Sequence, residues 1–498
     1  MPGHKLFAPV ISSRFFLLII LLPSLLGYAL MAAWFPLRPN VAMIPPGDIR
    51  TFATTLPAGL AYASLVLALF GLLVWAFRWA KSDGMGPKPL PFILAGTLLL
   101  ALPLIWAYPV NATDIFGYVI RGRITSAYGE SPFSSPAAAF VGDPFMPLVG
   151  EWAGDTTPYG PLWELIAAGL TAISGDNLLL GVLLFKGLSL ACFLITTVLI
   201  WRLLPAGRAR SAFTLLWAWN PALLLTFVLD GHNDALMLLW LLLGVWVAGR
   251  GRLLFGFLVM TLAVLTKPVA ALALPFFFLG FMRGIPAGRR RWQFGLAALG
   301  GAILLAWLAF WPWAGTANGP LGTATELAAR LAREANGGAG YSPSVWIYVV
   351  LGRRVTIEII GLVLRVLFVA LGLGLAWLGA RGRAAFRGVA DVFYGYVVTA
   401  LNFRIWYAVW PFAWLILDAG QQAEHTNSIP AVNYRMGVGF WFLLTTQLSV
   451  VVYGHLRVYL LGGDQGLAHL IGVPLVFGLP WVLAALPWLS LSRPVHVA

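Results

Sequence analysis

The sequence predicts an all-α polytopic membrane protein, and three observations carry that expectation. Of 498 residues, 60% are hydrophobic and 10% charged, whereas soluble domains run near half apolar and about a quarter charged. Leucine-rich runs of about 20 residues recur from end to end, each long enough to cross a ~30 Å hydrocarbon core. Inside such a core a helix satisfies its own backbone groups and an open sheet does not.

Taken in order, the expected spans lie near 14–34, 57–79, 91–108, 178–201, 212–229, 233–249, 253–266, 268–282, 293–313, 356–379, 388–402, 406–418, 436–456 and 468–490, about 14 in all. The first, "FFLLIILLPSLLGYALMAAW", is too long for a signal-peptide core and lacks a small-residue cleavage site, so it reads as a retained span. Segment 161–175 is apolar but ends at once in Gly175, Asp176 and Asn177, which suggests a half-span or an in-plane helix.

Charge sets the expected orientation. With the N-terminus inside, the cytoplasmic loops carry "RWAKSDGMGPK", "RLLPAGRAR", "GRGR", "RGIPAGRRRW" and "ARGRAAFR", as the positive-inside rule requires. Both termini are then cytoplasmic in a plasma (inner) membrane, and the large loops 35–55, 109–160 and 314–355 are outside, with most of the acids. The net charge of +14 does not signal nucleic acid, because the bases sit in short inter-helix loops. The single cysteine, Cys192, excludes an internal disulfide and a cysteine metal cluster. No repeat and no soluble domain is visible, so residues 1–498 read as one integral membrane domain with short interfacial helices in its outer loops.

Chemistry-bearing residues gather on that outer side. In "YPVNATDIFGYVIRGRITSAYGESPF" (108–133), Asp114, Tyr118 and Arg121 share one face if the segment is helical. Such a face offers a base, a hydroxyl and a cation. The alternative is an interfacial helix start, with Thr113 or Asp114 as N-cap and arginines reaching to the headgroups. In "WNPALLLTFVLDGHNDALM" (219–237), Asp230, His232, Asn233 and Asp234 crowd a turn between two apolar runs. Ionisable residues at that depth are costly and point to function, although Asp234 could simply cap the next helix. Lys267 precedes Pro268 at another outer end and suits a phosphate. Arg404 lies in "NFRIWYAVWP" beside Trp406, Tyr407 and Trp410, which could equally form an aromatic belt. Cations and a carboxylate at a lipid interface suit a lipid-linked phosphate as one substrate and an acceptor hydroxyl as the other. Asp230, His232 and Asp234 have metal-ligand side chains, but their spacing matches no established metal motif, so a divalent metal stays open and no cofactor is assigned.

The segment 114–133 resembles a signature of bacterial polyprenol-phosphate-mannose-dependent α-(1→6)-mannosyltransferases. "TPYGPLW" (157–163), "WNPALLL" (219–225), "GHNDALM" (231–237), "TKPVAALALPF" (266–276) and "WYAVWPF" (406–412) are similar to that family in the same order. Phe116 and Gly117 stand where Tyr and Ser are usual, and Phe133 replaces a Tyr after Pro132. The resemblance implies a GT-C fold with its active site at the outer face, and inverting transfer of mannose from a β-linked polyprenyl phosphate to a glycan or glycolipid acceptor. Asp114 matches the family's general base. Lys267, Arg404, Arg121 and His232 then become candidates for the donor phosphate. Tyr118, Tyr159, Asn233, Asp234, Tyr407 and Trp410 become candidates for the sugar and acceptor. Transfer of arabinose or an α-(1→2) linkage is the nearest rival. A lipid-linked sugar flippase is the rival from another class. It would place charges deep in the spans, where only Glu164, Lys186, Glu358, Arg365 and Asp391 are expected.

Overall fold

Long apolar runs become helices here because each backbone group then finds its partner within the run. The computed structural model describes residues 13–83, 85, 88–315, 319–336, 340–426 and 434–486. Helices of nine or more residues are numbered in chain order. They are α1 (Ser13–Trp34), α2 (Leu56–Asp83), α3 (Pro89–Ile105), α4 (Asp114–Ser126), α5 (Pro161–Ser174), α6 (Leu178–Leu203), α7 (Arg208–Ala218), α8 (Asp234–Ala248), α9 (Leu253–Thr266), α10 (Leu274–Gly284), α11 (Arg289–Phe310), α12 (Gly319–Asn336), α13 (Ile357–Ala380), α14 (Ala385–Thr399), α15 (Val409–Thr426), α16 (Tyr434–Val451) and α17 (Gln465–Val473). Among the described residues there is no strand beyond one isolated bridge, Pro36 to Ala107.

Among the described residues, seven stretches are long and apolar enough to cross a membrane: Phe15–Trp34, Leu56–Lys81, Leu178–Leu203, Arg289–Trp313, Ile357–Ala380, Tyr434–Tyr459 and Gln465–Ala485. A bent pair, Ala209–Ala218 with Pro221–Leu229, makes an eighth if counted as one span broken by 43°. The remaining expected spans are shorter helices. Fourteen residues, as in α5 and α9, reach only ~21 Å. The expected cytoplasmic termini and the end of the expected span 468–490 lie outside the described residues.

Three breaks in the helices position the site. The first is segment 106–113, between α3 and α4. The second is the turn 230–233, entered through one wide helical turn (Leu225–Leu229) and closed by Gly231 at φ +69° before α8. The third is "TPYGPLW". Its Gly160 amide donates to the Thr266 carbonyl at 3.0 Å, and Pro161 then opens α5. A Cβ on Gly160 would collide with the Leu265 carbonyl. That close approach sets Tyr159 beside Lys267.

Loop 109–160 is ordered and partly helical, as expected, but α4 is no surface helix. Every residue from Ile115 to Ile124 is buried, and Gly122 crosses so close to α5 that a Cβ would lie 2.5 Å from the Ala167 oxygen. Arg123 does not reach for headgroups. Its guanidinium bonds Asp143 and Asp176, each at 2.8 Å, and the Gly175 carbonyl.

Overpacking a tight backbone crossing costs about 1–3 kcal/mol. Gly160→Ala should therefore lower the melting temperature in detergent. Gly169→Ala, where nothing approaches within 4 Å, should be neutral or slightly stabilising. Equal melting temperatures for the two variants would refute the close approach.

Candidate active site

The three breaks meet around one cavity of about 750 Å³. Its wall takes Asp114, Gly117 and Arg121 from α4, Trp152 and Tyr159 from the following loop, and Lys267 from the end of α9. The segment 404–410 supplies Arg404, Trp406, Tyr407 and Trp410. Arg330 and Glu334 of α12 and Arg365 of α13 also face it. Sequence reasoning did not single out Trp152, Arg330 or Glu334 for this site, and it met Arg365 only as a deep charge. The one available signal was the amphipathic pattern of 319–336 inside a loop.

Asp114 stands in the first turn of α4, where the helix dipole favours a carboxylate. The Tyr159 hydroxyl donates to its Oδ1 at 2.9 Å, and no other hydrogen bond reaches this carboxylate among the described residues. Burial pushes the Tyr159 phenol well above its ordinary range, with the Asp114 charge adding to the effect. Tyr159 therefore stays protonated and fixes the carboxylate as an acceptor. The second oxygen has no hydrogen-bond partner among the described residues.

The face of α4 toward the cavity runs through residues 114, 117 and 121, not through Tyr118. Tyr118 is fully buried. It packs edge-on to Tyr159 and Trp163, with its hydroxyl 3.5 Å from His232 Nδ1. His232, Asn233 and Asp234 are likewise buried and off the cavity wall. His232 lies under the Trp406 ring at 4.2 Å. These four sequence candidates form a layer behind the wall, one shell removed from any ligand. Helical spacing singled out Tyr118 and polarity at a turn singled out the other three, and neither signal gives the direction a side chain faces.

The cations divide by their partners. Lys267 Nζ donates to both Asp234 oxygens, at 2.9 and 2.8 Å, and to Asn233 Oδ1 at 3.4 Å. Those acceptors use its three hydrogens. Trp410 Nε1 adds a 2.5 Å bond to Asp234 Oδ1, and Trp410 stacks on Tyr407 at 4.1 Å. Arg330 pairs with Asp155 and Glu334. Arg121 and Arg404, in contrast, form no ion pair among the described residues. Arg121 lies 5.6 Å over Tyr159 and Arg404 5.4 Å over Trp152. Two charge-bearing forks that face a cavity without a carboxylate partner suit an anionic ligand.

No three His, Cys, Asp or Glu side chains are placed to hold a metal among the described residues. Asp230 instead accepts from the Asn111 amide, and Asp234 is engaged as above. Of the other motif residues, Trp219 is structural. Its indole lies against Gly96 and donates to the Ile93 carbonyl at 3.1 Å.

Removing Lys267 would leave the wholly buried Asp234 carboxylate without its counter-charge, a loss of about 3–5 kcal/mol. Lys267→Met should thus unfold at lower temperature, and Lys267→Met/Asp234→Asn should recover much of the loss. If the double variant is no better than the single one, the pair is not the unit described.

A family model described as alpha-(1->6)-mannopyranosyltransferase, N-terminal domain, matches residues 21–283. Alpha-(1->6)-mannopyranosyltransferase A of Corynebacterium glutamicum is 32% identical over 178 residues, 36% of either chain. The protein of the same name from Mycobacterium tuberculosis is 28% identical over 411 residues, 78% of this chain and 76% of that one. Alpha-(1->6)-mannopyranosyltransferase B of C. glutamicum is 27% identical over 157 residues, 30% of this chain and 25% of its own. The chain thus spans about a third of the first relative and three quarters of the second. No solved structure gives a significant match. The family model covers more than half of the sequence, including Asp114, Tyr159, His232, Asp234 and Lys267, and the chain belongs to the alpha-(1->6)-mannopyranosyltransferase family of glycosyltransferases.

Proposed function

We propose that the chain is an inverting mannosyltransferase. It moves mannose from polyprenyl-phosphate-mannose to a hydroxyl of a glycan or glycolipid at the outer membrane face, forming an α-(1→6) link. The observation that carries this reading is one cavity holding both a carboxylate with a free oxygen and two arginines without ion pairs. The relatives' printed names supply the sugar and the linkage. The acceptor hydroxyl gives its proton to Asp114. Its oxygen attacks the anomeric carbon from the face opposite the phosphate. The carbon–oxygen bond to phosphate breaks, and its electron pair leaves on the polyprenyl phosphate. Arg404 and Arg121 stabilise that growing charge. Lys267, already paired, holds Asp234 and Trp410 in place and so shapes the aromatic wall on which the sugar stacks. Tyr159, Trp406 and Tyr407 supply the rest of that wall. His232, Asn233 and Tyr118 support it from behind.

Three outcomes check this reading on purified protein with polyprenyl-phosphate-mannose. A general base contributes about 10²–10⁴-fold, so Asp114→Asn should lose transfer by that factor with its melting temperature kept. Normal turnover would sink the mechanism. Tyr159→Phe should retain the donor KM and lower kcat about tenfold, the loss of one hydrogen bond to a charged group. Arg404→Ala should weaken the donor about 10- to 100-fold while the acceptor KM stays put, as expected for one charge-assisted contact. Competition by polyprenyl-phosphate-arabinose as strong as by the mannose donor would instead favour the rival sugar.

A further inference from the structure

Lys186 is a buried charge that the proposed chemistry does not use. It sits in the apolar helix α6, about 12 Å from its start, and its side chain is fully buried. A methionine would fill the same space without needing partners, so an ammonium at that depth calls for an explanation. The partners are backbone. Lys186 Nζ donates to the Leu104 carbonyl at 3.1 Å and to the Ala107 carbonyl at 2.6 Å. Leu104 belongs to the last turn of α3, where a cation is favoured.

Asp230 is the second such charge, buried at the end of the wide turn before Gly231. Its Oδ1 accepts from the Asn111 amide at 3.3 Å. The two side chains come from different parts of the chain and grip the same segment four residues or more apart. The opposite edge of that segment is held by the first outer loop. Leu37 N donates to Trp106 O at 2.8 Å, Tyr108 N to Phe35 O at 2.6 Å, and Ile49 N to Val110 O at 3.1 Å. Tyr62 donates to the Asn111 side chain at 3.1 Å.

The grip continues into α4. Gly231 packs so closely that a Cβ would stand 2.7 Å from Ile115 Cδ1 and 3.4 Å from Lys186 Cγ. Ile115 is the neighbour of Asp114. Ser189, one turn from Lys186 on α6, donates to the His232 carbonyl at 3.1 Å. One face of α6 therefore ties segment 104–107 and the 230–232 turn to the same scaffold.

We infer that Lys186 and Asp230 are positioning residues: together they clamp the backbone of residues 104–111 and so set where the Asp114 carboxylate meets the cavity. Neither touches the cavity, so each acts through Asp114. This inference rests on the reading of Asp114 as the base. It accounts for two intramembrane charges without a transport pathway.

Steady-state kinetics with Lys186→Met, Asp230→Leu and Asp230→Asn test it. Lys186→Met and Asp230→Leu should lower kcat about tenfold or more and leave the donor KM within about twofold. Asp230→Asn keeps an oxygen for the Asn111 amide and should hold kcat within about threefold of the parent. In the Asp114→Asn background, Lys186→Met should not change the residual rate, because the clamp works only through the carboxylate. Unchanged kcat in both clamp variants, or an Asp230→Asn as damaged as Asp230→Leu, would overturn the proposal. Hydrogen exchange gives an answer independent of turnover. Asp230→Leu should speed exchange across 106–114 but not across α8, and unaltered exchange there would also overturn the clamp. Normal turnover by Asp114→Asn alone would remove the base assignment instead, leaving the exchange result to judge the clamp.

Discussion

A backbone that leaves helical form where lipid replaces water must find a partner for every N–H and C=O, and this constraint organises the site. Segment 106–113 leaves helical form between α3 and α4, and several of its polar groups are taken up by residues 35–49, Tyr62, Lys186 and Asp230. The turn 230–233 leaves it between the bent pair and α8, and its His232 carbonyl is taken up by Ser189. The Gly160 amide finds Thr266. Asp230 joins two of the breaks directly, and Lys186 and Ser189 tie the same two to one helix, α6. The segments that carry Asp114, Tyr159 and Lys267 are thus fixed to one another by the requirement to leave no backbone group unpaired, before any ligand arrives.

The same economy separates structural from ligand-binding charge. Burying a lone charge is expensive, and pairing relieves the cost only with good geometry. Arg123 meets that condition with two carboxylates and a carbonyl, and Lys267 with Asp234 and Asn233. Two residues apart on one helix, Arg121 and Arg123 therefore have opposite characters. Arg123 staples α4 to the 143 and 175–176 turns. Arg121 lines the cavity over an aromatic ring without an ion pair among the described residues. Arg404 does the same over Trp152. A phosphate held between them would complete a charge pattern that the folded chain leaves open.

Much of this was legible in the sequence, and the rest was hidden for physical reasons. Composition gave the helical membrane architecture, and the ordered motifs gave the family. Asp114, Arg121, Tyr159, Lys267, Arg404, Tyr407 and Trp410 all come to one cavity. The number of full crossings was not legible, because hydropathy counts a 14-residue buried helix like α9 as it counts a spanning one. Nor was the facing of Tyr118 against Gly117. A three-to-four spacing names a helix face only to within one residue, and packing against the 230–234 turn decides the rest. Arg330 and Glu334 were not singled out, because the amphipathic pattern of α12 marks a helix but not the cavity that it packs against. The pairing of Lys267 with Asp234, 33 positions apart, is likewise a long-range fact.

The deep charges, finally, discriminate between transferase and transporter. A transport pathway needs ionisable groups that can exchange partners as the path opens. Here Lys186 is bound to backbone carbonyls, Glu164 accepts from Thr157 at 2.6 Å, and Asp391 is gripped by Arg383 and Arg435. Glu358 stands in the exposed first turn of α13. These partners are fixed parts of the fold, two of them backbone groups that cannot rotate away. Arg365 alone of the five faces the cavity, and it does so in company with Asp114, Arg121 and Arg404. Charge buried for structure is thus consumed in place, and the two cavity arginines without ion pairs among the described residues, Arg121 and Arg404, line one chamber. That distribution fits a reaction completed at a fixed site better than a solute passed along a changing one.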